Sequence, residues 1–67
     1  MRKYQSFIID DKDIEVETSR YETPEDRRME QVTVTYLPSG IKASKESSRS
    51  QVEAYNAALM ELETKVV

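Results

Sequence analysis

The side chains that could do chemistry in this chain are carboxylates, hydroxyls, phenols and a few cations, because its 67 residues include no cysteine and no histidine. That removes thiolate nucleophiles, Cys-ligated zinc, and both Ser-His-Asp and Cys-His catalytic pairs. A single glycine, Gly40, leaves no GxGxxG fingerprint and no Walker loop, which each need several. Asp10, Asp11 and Asp13 are a hard-cation donor set by type, but the EF-hand spacing and its glycine are missing, and an Asp-rich stretch is ordinarily a solvated turn. Glu15 and Glu17 form an acid pair in sequence, yet they alternate with apolar residues as the wet face of a strand does. The remaining cluster is Lys42, Lys45, Arg49 and Gln51, a candidate interaction surface whose cations could face a polyanion. No catalytic, cofactor-binding or metal-ligating residue is assigned, and no cofactor is expected.

Charge argues against a strong nucleic-acid binder. Ten Lys and Arg stand against 13 Asp and Glu, a net of −3. Only residues 31–52 are basic, with Lys42, Lys45 and Arg49 against Glu46. That is weak beside the basic patches nucleic-acid binders carry, so strong binding to free nucleic acid is not expected. The longest early apolar run is Phe7-Ile8-Ile9; a signal peptide needs roughly 7–15 apolar residues and a membrane span roughly 20. The expectation is a soluble chain, and the lack of cysteine fits a reducing cytoplasm. The length allows one small domain, residues 1–67. A domain of this size buries only about 60% of its unfolded surface and has no disulfide to help.

These residues must be positioned by a handful of short elements. Lys3 to Ile9 reads as a first strand, ended by the turn Asp10-Asp11-Lys12-Asp13. Ile14, Val16 and Thr18 alternate with Glu15, Glu17 and Ser19, a period of two that marks a half-buried strand. Thr23-Pro24-Glu25-Asp26 has the chemistry of a helix start, with a capping Thr, Pro at the first helical position and acids at the positive end of the dipole; a short helix over 24–30 is predicted. Gln31 to Leu37 is the clearest strand, Val32, Val34 and Tyr36 sharing one face. Pro38-Ser39-Gly40 makes a tight turn, with Gly40 supplying a positive φ, and Ile41 to Lys45 returns as its partner. Ser48-Arg49-Ser50-Gln51 has the form of a capping box. The helix behind it, to about Lys65, places Val52, Tyr55, Leu59, Leu62 and Val66 at spacings of three and four, which is ordinary packing on a sheet.

Three stretches together resemble the catalytic domain of class I peptide chain release factors. Ile9-x-x-x-Asp13-Ile14-x-Val16-Glu17-x-x-Arg20 is similar to the strand leading into that family's catalytic loop. Val32-x-Val34-Thr35-x-Leu37-Pro38-Ser39-Gly40-Ile41 is similar to the hairpin beyond it. Arg49-Ser50-Gln51, with Ala58-Leu59-x-x-Leu62, is similar to the last helix. They occur in family order and cover about residues 9–62. The departures are as informative. The family's loop carries Gly-Gly-Gln and acts on the peptidyl-tRNA ester, whereas here the segment runs Tyr21-Glu22-Thr23-Pro24-Glu25-Asp26, shorter and without glycine. Gln31 lies at the end of the predicted short helix and is a poor substitute. The implied hydrolytic activity therefore does not carry over. The last helix continues Val52-Glu53-Ala54-Tyr55 in place of basic residues, and the codon-reading domains and the basic tail of ribosome-rescue relatives have no counterpart in this sequence.

The expectation is an α+β domain in the order β-β-α-β-β-α, a four-stranded, mainly antiparallel sheet with the long C-terminal helix on one face. The expected core is Ile9, Ile14, Val16, Val32, Val34, Tyr36, Ile41, Ala43, Val52, Tyr55, Leu59 and Leu62. The expected function is a non-catalytic, release-factor-like module that binds a translation component, the ribosome or a termination factor, as a competitor of a true release factor. The alternative is an acidic protein-interaction or inhibitor module that reuses the scaffold without ribosome contact. Charge favours the second and the resemblance the first.

Overall fold

Val32, Val34 and Tyr36 do form the middle of a sheet. In the computed structural model, which describes residues 2–67, β1 (Ile14–Glu22), β2 (Arg28–Tyr36) and β3 (Ile41–Ser47) form an antiparallel sheet in the order β1-β2-β3, and α1 (Gln51–Val66) packs on it. The register places Val16 opposite Val34 and Val34 opposite Ala43, and also Thr18 opposite Val32 and Val32 opposite Lys45. One face of the sheet therefore carries Ile14, Val16, Val32, Val34, Tyr36, Ile41 and Ala43, as alternation dictates.

That face meets the apolar stripe of α1. Ala54, Tyr55, Ala58, Leu59 and Leu62 are buried against Val32, Val34 and Ala43, and Ile9 completes the core. Leu59 and Leu62 are fully enclosed, and each such side chain contributes about 1.5–3 kcal/mol of transfer free energy. Ala54 and Ala58 are buried as well, and their small side chains let the helix lie close to the sheet. The helix lies over β2 and β3, so β1 projects beyond it, and every β1 residue after Ile14 is exposed. Val16 and Val52, both expected in the core, are accordingly exposed and half-buried.

The sheet has three strands rather than the predicted four, and the short helix over 24–30 does not form; the α+β class stands. Residues 3–9 pair with no strand. Their hydrogen bonds run to α1 instead: the Tyr4 N–H donates to Asn56 Oδ1 at 2.6 Å, Asn56 Nδ2 donates to the Arg2 carbonyl at 2.9 Å, and the Tyr4 hydroxyl and Ser6 Oγ donate to the two Glu63 oxygens at 2.8 and 2.5 Å. Phe7 and Ile8 stay exposed while Ile9 is buried, so the segment lacks the alternation that a strand would need. A single 3-10 turn, Asp11–Asp13, with Asp10 accepting from the Lys12 N–H, leads into β1.

Thr23-Pro24-Glu25-Asp26 forms a turn between β1 and β2. The Asp26 N–H donates to the Thr23 carbonyl at 3.0 Å, and Asp26 takes a left-handed φ of 61°. A type I turn and a first helical turn share their early dihedrals and both favour Pro in the second place. The downstream residues decide between them. Arg27, Arg28, Glu30 and Gln31 give a helix no apolar stripe, while the strand ending at Tyr36 extends back to Arg28. At the other hairpin, the Tyr36 carbonyl accepts from the Ser39 and Gly40 N–H groups, and Gly40 closes the loop at φ 75°. The α1 cap also differs from the expected one: Ser50, not Ser48, is the N-cap, its hydroxyl accepting from the Glu53 N–H at 3.1 Å.

Candidate functional site

The four residues expected to form an interaction surface do not converge. Lys42 and Lys45 are three apart on β3, so their side chains leave opposite faces of the sheet. Lys42 is exposed on the face that no helix covers, and its carbonyl accepts from Lys65 Nζ at 3.0 Å. Lys45 is on the helix side, with Nζ 3.4 Å from Glu61 Oε1. Arg49 is exposed in the β3–α1 link, where its N–H donates to Ser47 Oγ at 3.1 Å. Gln51 opens α1 and is exposed.

Gln51 belongs instead to a groove on the other side of the helix. Because α1 lies over β2 and β3, a cleft of about 290 Å³ remains between β1 and the first turns of α1. Val32 forms its floor, Val16 and Thr18 one wall, and Val52 and Tyr55 the other. Lys3 spans one end, with its ammonium 4.6 Å from the centre of the Tyr55 ring. Burial and the nearby charge of Asp11 push the Tyr55 phenol above its ordinary value. The Val16 side is open to solvent, Val16 being 43% exposed.

The backbone beside this groove is unpaired. The Leu37 N–H donates to the Asp13 carbonyl at 2.8 Å at one end of the β1–β2 ladder, and the Thr23 N–H donates to the Arg27 carbonyl at 2.9 Å at the other. Both bonds use odd-numbered residues of the β1 side. In an antiparallel pair the hydrogen-bonded positions alternate, so the odd residues of β1 bond to β2. Val16, Thr18, Arg20 and Glu22 turn their N–H and C=O groups outward, while the outward Ile14 N–H closes the 3-10 turn on the Asp11 carbonyl. Among the described residues, no backbone or side-chain hydrogen bond is seen at the outward groups from Val16 to Glu22. The β3 edge differs, since Lys65 hooks the Lys42 carbonyl.

The face of the sheet away from α1 is polar. Ser19 Oγ meets Gln31 Oε1 at 3.3 Å, and Gln31 Nε2 and Thr33 Oγ1 meet Ser44 Oγ at 3.2 and 3.1 Å. The Tyr21 hydroxyl donates to Glu46, which raises the phenol's pKa, and the Tyr4 phenol is raised in the same way by Glu63. Glu15 and Glu17 are exposed on this face, and the ion pairs among the described residues, Lys12–Asp10, Arg20–Glu30 and Lys45–Glu61, include neither. No cluster of three or more metal-donor side chains comes together among these residues. No helix among them is long and apolar enough to cross a membrane.

The groove is hidden in the sequence because Val16 and Val52 both carry the periodicity of core residues. The signal that could have revealed it is the count of faces: one helix covers about two strands, because helix and strand widths are roughly 10 and 5 Å. Comparison with protein-family models, with curated proteins and with solved structures finds no match to this chain.

Proposed function

We propose that the chain is a non-catalytic protein-binding module that takes its partner on the β1 side of the sheet. The observation that carries this reading is the juxtaposition of an open apolar groove, lined by Val16, Val32 and Val52, with the outward backbone of β1. The dispersal of Lys42, Lys45 and Arg49 supports it further, since these three do not join into one basic surface. Affinity capture from the native cell tests it. One stoichiometric protein that survives nuclease treatment is the expected result, and recovery of RNA with no protein partner would contradict it.

A second reading is that the module contacts the ribosome or a termination factor as a competitor of a true release factor. The Val32–Ile41 hairpin and the Ser50-capped helix support it, because both are elements the release-factor resemblance implies. Co-sedimentation with ribosomes at low salt, lost when Lys42, Lys45 and Arg49 become Glu, is its expected result. Absence of co-sedimentation counts against it. Under either reading the chain has no turnover on peptidyl-tRNA, and clear hydrolysis above background would overturn the non-catalytic assignment.

A further inference from the structure

We infer that the outer edge of β1 binds an extended, basic segment of a partner protein as a fourth strand, a segment that alternates apolar residues with Lys or Arg. This rests on the protein-binding reading and names its site and ligand class. Main-chain bonding at a free sheet edge gives affinity, and alternate side chains give specificity. Here the outward N–H and C=O groups come from Val16, Thr18, Arg20 and Glu22, and the side chains of Val16 and Thr18 flank the groove. Every second residue of an added strand would stand beside Val16 and Thr18 and extend over Val52, which calls for apolar side chains. The residues between them would stand beside Glu15 and Glu17, which have no cationic partner among the described residues.

Charge decides between a foreign strand and a second copy of this chain. Residues 10–22 hold six carboxylates (Asp10, Asp11, Asp13, Glu15, Glu17 and Glu22) against Lys12 and Arg20, a net of −4 where the whole chain is −3. Pairing β1 with β1 of another copy would bring two such strips together, and Arg20 is already engaged with Glu30 at 2.9 Å. Like charges across strands are destabilising, and opposite ones favourable. A cationic strand satisfies the edge, and a second copy does not.

The test is a titration of the whole chain, at low salt, with a seven-residue peptide of alternating Val and Lys, monitored by amide chemical shifts and calorimetry. A peptide of alternating Val and Glu and a scrambled peptide with a central Pro serve as controls. Saturable binding of the Val/Lys peptide alone is expected, with shifts centred on Val16, Thr18 and Val52 and affinity falling as salt is raised. Glu15→Lys combined with Glu17→Lys lowers the affinity about tenfold or more. These side chains are exposed, so the variant keeps its fold. Thr18→Pro removes an outward N–H without touching the β2 ladder and also weakens binding, with circular dichroism as the check that the sheet persists. Equal affinity for both charged peptides, unchanged affinity in the Glu-to-Lys variant, or a concentration-dependent dimer that excludes the peptide would each overturn the proposal. Captured cellular partners separate the two levels. The same partner on wild type and Glu-to-Lys variant overturns the edge assignment alone, whereas no protein on either overturns the binding-module reading as well.

Discussion

At the scale of single residues, backbone conformation and proton affinity make the most definite statements. Gly40 closes the β2–β3 loop at φ 75°, and a Cβ there would meet no neighbour within 4 Å. A substitution at this position therefore acts through the backbone alone. Gly40→Ala should destabilise the fold by about 1 kcal/mol, and Gly40→Asn by less, because Asn tolerates the left-handed region; urea unfolding midpoints check the order. The phenols make the second prediction. Tyr4, Tyr21 and Tyr55 keep their protons above the ordinary value of 10.0, the first two mainly by donating to Glu63 and Glu46 and the third mainly by burial. A folded chain that holds a proton more tightly than the unfolded chain gains stability that is fully present below the unfolded pKa and is lost as pH rises through the folded one. Through these phenols, stability should thus fall with pH only above about 10. Ultraviolet titration of the phenolates alongside unfolding measurements would show both, and a Tyr21→Phe variant should lose one of the late-titrating phenols.

At the scale of elements, the fold depends on how short, ambiguous signals are resolved by their neighbours along the chain and across it. Two serines upstream of α1 could each cap it. Ser50→Ala should cost about 1 kcal/mol, while Ser48→Ala should leave stability within about 0.5 kcal/mol of the parent; thermal unfolding of the pair distinguishes them. Ser47, buried at the end of β3, accepts from the Arg49 and Ser50 N–H groups and so sets where the helix can begin. That local bond is why the cap falls at Ser50. The parts of the fold legible in the sequence were those with sustained periodicity: the Val32–Tyr36 strand, its return through Gly40, and the stripe Tyr55, Leu59 and Leu62. The parts that were not legible rest on tertiary facts. Thr23-Pro24 is written identically for a turn and a helix start. Lys3–Ile9 contains strand-forming residues, but Asn56 and Glu63 on α1 provide its hydrogen-bond partners, and nothing local announces that. The candidate surface residues Lys42 and Lys45 fail to converge for a related reason. Lys42 and Lys45 are close in sequence, but the two-residue period of a strand sends side chains three apart to opposite faces, and Glu61 on α1 engages one of them.

At the scale of the whole molecule, one helix on three strands leaves the assembly lopsided. The molecule measures 37 × 24 × 18 Å with a radius of gyration of 12.2 Å, and α1 shields β2 and β3 while β1 stands clear. The strip of carboxylates along β1 should disfavour pairing between copies of the chain, as charges on edge strands do, and analytical ultracentrifugation at low salt should find a monomer. The proposed binding function rests above all on the even-numbered backbone groups of β1 from Val16 onward being a free edge that a basic strand completes. Residue-resolved amide hydrogen exchange tests this most directly. In the free chain, the Val16, Thr18 and Arg20 amides should exchange fast, while those of Glu17 and Ser19, bonded to β2, are protected. On saturation with the Val/Lys peptide, Val16 and Thr18 should become protected as well. Equal protection of odd and even β1 amides in the free chain, or even-numbered amides that stay fast in the presence of the peptide, would contradict the free-edge assignment.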